Sequence, residues 1–206
     1  MHQYLSEHLG IISDEEQKIL NGSNCVEKHI YTDTQDFIVD FRKMSRRHRL
    51  INVRPHTRFI HFPVHRHDYI EIVWVYAGSM THVINGVKAI KLEKGDLLFL
   101  NREASHEVLP CDRQDLAVNI LARPEFFDRS FFAQAPDSGR FFDFVFAQGA
   151  KPKKETYIHF PTSGVLPVQN LSENLIWNVL NQPNPNRDVE RPTMALLMSH
   201  LFNHLE

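Results

Sequence analysis

Two histidines and a glutamate in the stretch HRHDYIE are the residues best suited to chemistry. His65 and His67 are one residue apart, and Glu71 follows four positions after His67. Alternate side chains of a strand share a face, so a regular strand from His65 through Glu71 would place all three on one face. Imidazole nitrogens and a carboxylate oxygen suit iron, manganese, nickel, copper or zinc, and they also hydrogen-bond organic ligands. The spacing therefore predicts a metal site or a ligand pocket.

The surrounding sequence indicates a series of short strands. Between residues 50 and 122, runs of β-branched and aromatic residues alternate with turn signals, of which Asn85-Gly86 is the strongest. Runs this short and evenly spaced predict an antiparallel jelly-roll barrel rather than alternating strands and helices. The predicted strands are LINVR, TRFIHF, YIEIVWVYAG, MTHVING, VKAIKL, GDLLFLN, HEVLP and DLAVNILA, with YIHFP as one more.

Helical patterns precede the predicted barrel. Ser13 and Glu16 form a capping-box pattern at the start of DEEQKIL, and Gly22 is the expected stop. A second helix is predicted from Asp33 or Thr34 onward, because apolar residues then recur at helical spacing. Its apolar face would carry Phe37, Ile38, Phe41 and Met44.

Helical patterns also follow the barrel. Pro124 predicts a helix start in PEFFDRSFFAQ, whereas FFDFVFAQ fits either a short helix or a buried strand. The tail predicts a helical pair separated by QPNPN. We therefore expect a mainly β chain, α+β overall, with an N-terminal helical extension at 1–49, the barrel at 50–165 and C-terminal helices at 166–206.

Composition excludes several classes of protein. The 206 residues carry a formal net charge of −2, which gives no general basis for binding nucleic acid. No signal peptide and no run of about 18 apolar residues is present, so we expect a cytoplasmic chain with no membrane partner. Cys25 and Cys111 lie far apart in the sequence and are expected to be free thiols.

The histidine stretch resembles the first motif of the cupin family. HRHDYIEIVWVYAG has the pattern HxHx3Ex6G, and GDLLFLNREASH resembles the second cupin motif, with His106 at the position of the third metal histidine. Cupins are jelly-roll barrels, and the resemblance implies a metal set of His65, His67, Glu71 and His106. The sequence departs from the usual motifs at Phe59, Asn101, Glu103 and Pro110.

A narrower resemblance covers about 70 residues around these motifs. The segment from His65 through Glu107 resembles the N-terminal effector-binding domain of AraC-type transcription regulators. This implies a non-catalytic domain that senses a small molecule such as a sugar inside the barrel, forms a homodimer through the helices after it, and reaches DNA through a C-terminal domain that this chain lacks. The implied ligand-binding residues are His65, His67, Glu71, His82 and His106, with Trp74 or Tyr76 as an aromatic wall.

Two features of this picture remain open at the level of sequence. Family members commonly keep the histidine motif without using it for metal, so no cofactor is expected, with a divalent transition metal as the alternative. Strand parity also separates Trp74 and Tyr76 from Glu71, and these two rings should therefore face away from the cavity if Glu71 lines it.

Alternative functions and structural explanations accompany these predictions. The ligand set also fits a metal-dependent cupin enzyme of the dioxygenase or isomerase type, and a stand-alone binding protein fits as well. Structurally, His65 and His67 could instead form a polar loop before a strand, with His106 hydrogen-bonded at one end of the barrel.

Two further surface features have more than one explanation. The basic run RKMSRRHR, together with Arg54 and Arg58, could contact DNA phosphates, but a solvated helix end is the favoured explanation, because cations favour helix C-termini and the net charge is not basic. The last helix carries an apolar stripe that either forms a dimer seam, as the family resemblance favours, or packs on its own barrel. The stripe consists of Met194, Leu197, Met198, Leu201, Phe202 and Leu205.

Overall fold

The computed structural model describes residues 2–45, 48–132, 138–146, 155–182 and 184–203. In these ranges ten strands form two five-stranded sheets, and the predicted jelly-roll barrel is confirmed. The first sheet contains, in spatial order, β1 (Ile38–Val39), β3 (Phe62–His67), β8 (His106–Val108), β5 (Ser79–Ile84) and β6 (Lys88–Glu93). The second contains β10 (Tyr157–Phe160), β7 (Leu97–Leu100), β4 (Ile70–Ala77), β9 (Leu116–Ala122) and β2 (Ile51–Pro55).

Helices precede and follow the barrel in the sequence. Those before it are α1 (His2–Gly10), α2 (Asp14–Leu20), α3 (Lys28–Tyr31) and α4 (Phe41–Met44). Those after it are a 3-10 turn (Pro124–Phe126), α5 (Arg129–Phe132), α6 (Ser138–Phe146), α7 (Leu166–Asn181) and α8 (Arg187–Phe202). Within the described ranges, no helix combines the length and apolarity that a membrane crossing requires.

The two sheets differ in what covers them, and their sequences reflect this. The outer face of the second sheet packs against α1 and the C-terminal helices, while its inner face lines the barrel, so β4 is buried through Val75. Strands of a sheet that is covered on both faces have a nearly continuous apolar sequence. The first sheet has one exposed face, and β5 alternates between buried and half-buried residues as a result.

The N-terminal predictions are partly right. The capping box at Ser13 and Glu16 is present, and α2 begins at Asp14 as expected. The second predicted helix is wrong, because the segment forms α3, then β1, then α4. β1 pairs in parallel with β3, with Ile38 opposite Arg66. This strand pairing replaces the helix that the apolar spacing predicted. This segment covers one side of the barrel interior, where Tyr31, Val39 and Phe41 are buried.

Several predicted boundaries also shift. TRFIHF is not a strand throughout, since β3 begins only at Phe62 and extends through His67. PEFFDRSFFAQ is broken into the 3-10 turn and α5, and FFDFVFAQ belongs to helix α6 up to Phe146. YIHFP forms β10, and the C-terminal helical pair is confirmed. Both cysteines are free thiols.

The apolar stripe of α8 packs inside its own chain. Met194, Leu197, Met198 and Leu201 are fully buried, and they join the core that lies between the helices and the second sheet. The dimer-seam interpretation is therefore wrong for these residues, because a buried stripe offers no surface to a second copy. Leu205 lies outside the described residues.

The basic residues considered for DNA contacts have other partners. Arg58 is buried and pairs with Glu16 of α2, with Nε 2.8 Å from Oε1. Arg54 lines the barrel interior, and its guanidinium lies over the ring of Tyr31. These two side chains thus link the N-terminal segment to the barrel, while Arg46 and Arg47 lie outside the described residues.

Candidate metal and ligand site

The five predicted site residues all reach the barrel interior, from four different strands. His65 and His67 lie on β3, where the intervening Arg66 is exposed, so strand alternation turns both histidines inward. His106 on β8 is the register partner of His65, and His82 lies on β5 next to β8. Glu71 lies on β4. All five side chains are buried.

The assumption of one regular strand from His65 through Glu71 is wrong. β3 ends at His67 and β4 begins at Ile70, so the chain changes sheets in between. Glu71 consequently faces the histidines across the barrel rather than beside them on one strand. The predicted convergence still occurs, because both sheets direct their inner faces at the same space. The polar-loop interpretation of His65 and His67 is also wrong, since both are strand residues.

Three histidines have the spacing of a metal-ligand group. One nitrogen from each of His65, His67 and His106 lies within 4.8 Å of the others. Glu71 approaches the same point, with Oε2 at 3.6 Å from Nε2 of His67 and 3.4 Å from Nε2 of His106. Three imidazole nitrogens and one carboxylate oxygen suit a divalent transition metal.

The hydrogen bonding of these residues fits such an ion. Glu71 Oε2 and His106 Nε2 are buried and have no hydrogen-bond partner in the described structure. Buried polar atoms are normally paired, so atoms left free around one point indicate a missing partner. His65 Nδ1 lies 2.8 Å from the carbonyl oxygen of Pro63, to which it can donate, and this leaves Nε2 as the lone-pair nitrogen. A histidine held by a backbone carbonyl in this way is typical of metal ligands.

Burial keeps these groups uncharged. It lowers the pKa of His65 to about 4 and the pKa values of His67 and His106 well below the usual value. It also raises the pKa of Glu71 to about 8, despite the opposing effects of Arg54 and of a hydrogen bond from Asn119. Neutral imidazole is the form that binds metal, whereas Glu71 must lose a proton to do so.

The histidines and Glu71 lie around a small, partly open cavity. The space open to the centre of a water molecule is about 20 Å³, which is room for one or two waters or one ion. Six further lining residues with polar side chains were not predicted as part of the site: Tyr31, Arg54, His56, Thr57, Tyr69 and Asn119. Strand parity could have found Asn119, since it shares the inner face of β9 with Ala117 and Leu121. No local signal places Tyr31 there, because it comes from the N-terminal segment.

The aromatic wall is not part of the cavity. Trp74 points to the outer face of β4, where its Nε1 donates to Oε1 of Gln169 at 3.1 Å. Tyr76 packs beside it against the same outer core. The expectation that both rings face away from Glu71 is confirmed.

At two positions where the sequence departs from the cupin motifs, the replacing residues have a defined role in the local backbone structure. Phe59, at a usual glycine position, adopts φ +69°, the left-handed conformation that glycine favours. Asn101 is buried and donates to the carbonyl oxygens of Phe144 and Glu155 while accepting from the amide of Glu103. His106 therefore reaches the cavity although its motif is altered.

Comparison with known families identifies the domain. Residues 53–155 match the family model described as the AraC-like ligand binding domain. The chain belongs to this family. The match includes all five predicted site residues, whereas Tyr31 and Val39, which also line the cavity, precede it in the chain. No curated protein sequence matches the chain.

Solved structures share the fold of this AraC-like domain. A ToxT variant from Vibrio cholerae in the apo state is 13% identical over 76% of this chain and 55% of that chain, with a TM-score of 0.50. ToxT bound to (E)-4-(8-methylnaphthalen-1-yl)but-3-enoic acid is 10% identical over 74% of this chain and 56% of that chain, also with a TM-score of 0.50. The AraC-like chain thus spans about half the length of these structures.

Proposed function

We propose that this chain is the sensory half of an AraC-type transcription regulator, which acts in the cytoplasm as a homodimer and reaches DNA through a C-terminal domain. The observation that supports this most is a small cavity, lined by buried histidines and Glu71, inside a barrel of a ligand-binding family. A small-molecule effector binds in this cavity. It changes the regulator by binding one arrangement of the barrel and its flanking helices more tightly than another.

The same cavity is proposed to hold one divalent transition-metal ion. Its ligands are His65, His67, His106 and Glu71, whose free buried atoms and mutual distances support the assignment. When bound, such an ion supplies a Lewis acid that can orient an oxygen of the effector. The protein residues around it exclude water and fix the orientation of the ligand nitrogens.

The size of the cavity sets a condition for any larger effector. A sugar cannot enter the roughly 20 Å³ that is open in this conformation. The N-terminal segment with Tyr31 and Val39 forms part of the lining, and we propose that it moves when a sugar binds. An effector of this size therefore couples binding to the position of the N-terminal segment.

Metal binding can be tested on the purified chain. After treatment with a chelator, titration with Co²⁺ should show one site per chain by calorimetry and by the visible absorption of bound cobalt. His106→Ala should lose this site, whereas His61→Ala should keep it, because His61 is exposed and pairs with Glu107 outside the cavity. Absence of binding in the unaltered chain would overturn the metal assignment.

The regulator assignment has a separate test. The intact mass of the protein from its native cells should exceed the 24.1 kDa of this chain by roughly 11 to 13 kDa, the size of one small domain. A native mass equal to that of this chain would overturn the regulator assignment.

A metal-dependent cupin enzyme is the second candidate, and the three-histidine set with Glu71 supports it. If these four side chains held a metal ion, coordination positions not taken by the protein could bind a substrate. The cobalt- or iron-loaded chain would then convert a metabolite from an extract of the native cells in amounts far above one per chain. The sensor would bind a metabolite in a one-to-one ratio and release it unchanged.

Dimerisation is proposed through a surface other than the buried stripe of α8. Leu196 of α8 and Trp177 of α7 are apolar residues on the outer faces of these helices, with 50% and 37% of their surfaces exposed. Sedimentation of the chain and of Leu196→Glu would test this surface. A dimer that persists unchanged in the variant would place the interface elsewhere.

A further inference from the structure

His82 makes a close contact with the proposed metal ligand His106. Nδ1 of His82 lies 2.9 Å from Nδ1 of His106, and the two rings are nearly parallel with centroids 5.1 Å apart. Both side chains are almost completely buried, at 1% and 2% exposure. His82 lies on β5 and His106 on β8, and the pairing of these two strands fixes the relative position of the two side chains.

The contact between the two Nδ1 atoms requires one proton. One nitrogen must donate and the other must accept, since two lone pairs or two N–H groups would repel. His106 can bind an ion only as a neutral ring, and the neutral ring is also the form of His82 that can accept a hydrogen bond at Nδ1. Each neutral ring carries a single proton. The direction of this hydrogen bond therefore determines whether the other nitrogen of each ring carries a proton or a lone pair.

Only one direction is compatible with metal binding by His106. If His106 donates from Nδ1, its Nε2 keeps a lone pair, and Nε2 is the atom that faces Glu71 Oε2 at 3.4 Å. If His82 donates instead, the proton of His106 moves to Nε2 and blocks the ligand position. We propose that His82 is a positioning residue that accepts the hydrogen bond from His106 Nδ1 and so holds Nε2 ready for the ion. This inference rests on the metal site proposed above.

His82 is placed to support a ligand rather than to act as one. The metal-ligand group found among the described residues contains His65, His67 and His106 but not His82. Nε2 of His82 is buried without a hydrogen-bond partner in the described structure. With Nδ1 as the acceptor, Nε2 would carry the single proton of the neutral ring. An imidazole acceptor also adds no negative charge near the ion, in contrast to the carboxylates that often support metal-bound histidines.

Long-range ¹H–¹⁵N NMR of the zinc-loaded wild-type chain tests the direction of the hydrogen bond without any substitution. We expect the His106 proton on Nδ1 and the His82 proton on Nε2. A proton on Nδ1 of His82 in the zinc-loaded chain would overturn the inference, even though zinc remained bound. A wild-type chain that bound no zinc would overturn the metal site itself, and the inference with it.

Two substitutions test the contribution of His82 to affinity. His82→Leu removes the acceptor at similar size, and His82→Gln retains an acceptor oxygen. We expect Co²⁺ affinity to fall about 10- to 100-fold in His82→Leu with one ion still bound per chain, and to be largely restored in His82→Gln. In the Cu²⁺-loaded chains, the pulsed-EPR signal of the remote imidazole nitrogens should change in His82→Leu only. Wild-type affinity in His82→Leu, or equal losses in both variants, would overturn the positioning role.

Discussion

Glu71 Oε2 lies 3.4 Å from Nε2 of His106, although β4 and β8 belong to different sheets. A contact of this kind joins the two sheets of the barrel at one point. His67 Nε2 approaches the same carboxylate oxygen at 3.6 Å. The position of the carboxylate thus depends on how the two sheets pack. The geometry of any metal site that includes Glu71 depends on the same packing.

The charge of Glu71 can be tested by Glu71→Gln. The amide preserves the size of the side chain but removes a carboxylate that can ionise against the ion, so Co²⁺ affinity should fall by about tenfold or more. Calorimetric titration measures this change. Glu107→Gln is the matched control, because Glu107 pairs with the exposed His61 at 2.8 Å outside the cavity. Equal affinities in wild type and Glu71→Gln would remove Glu71 from the ligand set.

His56 predicts a loss of stability in acid. Burial, with a smaller effect of Arg54, lowers the pKa of His56 from 6.5 to about 3. As the pH falls below 6.5, the unfolded chain therefore binds a proton at His56 that the folded chain does not bind. The free energy of unfolding is not reduced by this residue above pH 6.5, and it decreases steadily as the pH falls toward 3. In metal-free protein, His56→Gln should flatten the decline by about 1.4 kcal/mol per pH unit. Urea unfolding between pH 7 and 5 measures the slope, and parallel slopes would contradict the prediction.

The buried pair of Glu16 and Arg58 predicts a large effect on stability. Glu16→Gln removes the charge partner of a guanidinium that is 3% exposed, and a buried charge left without its partner costs about 3–5 kcal/mol. Urea unfolding should show this loss. Lys18→Gln breaks the exposed pair with Glu27 and should cost less than about 1 kcal/mol. Similar losses in the two variants would mean that α2 is not anchored through Arg58.

The stripe of α8 predicts a change in stability without a change in assembly. Met198 is fully buried, so Met198→Ala should lower the free energy of unfolding by about 2–5 kcal/mol through the cavity that it leaves. The sedimentation coefficient should stay the same. Val189→Ala, at an exposed position of the same helix, should change stability by less than about 0.5 kcal/mol. Dissociation of a dimer in Met198→Ala would restore the seam interpretation.

Local patterns in the sequence determined the barrel and much of its site. The alternation in SMTHVI, the turn at Asn85-Gly86 and the capping box at Ser13 act over a few residues, so the sequence alone predicts them. The cupin motifs likewise placed His65, His67, Glu71 and His106 in one interior, and the resemblance to an effector-binding domain implied His82 beside them. The wrong helix over residues 33–44 shows the limit of this reasoning, because its apolar spacing fitted a helix while pairing with β3 decided the structure.

Only the tertiary structure decided which groups meet inside the barrel. Glu71 faces the histidines because the chain changes sheets after His67. Tyr31 joins the cavity because the N-terminal segment packs against it, and Arg54 joins it because β2 pairs with β9. The contact of His82 with His106 depends on strand register, which is set when β5 pairs with β8. The internal packing of the α8 stripe is likewise a property of the assembled core. Such contacts join residues far apart in the chain, and their geometry exists only once the two sheets and the helices have packed.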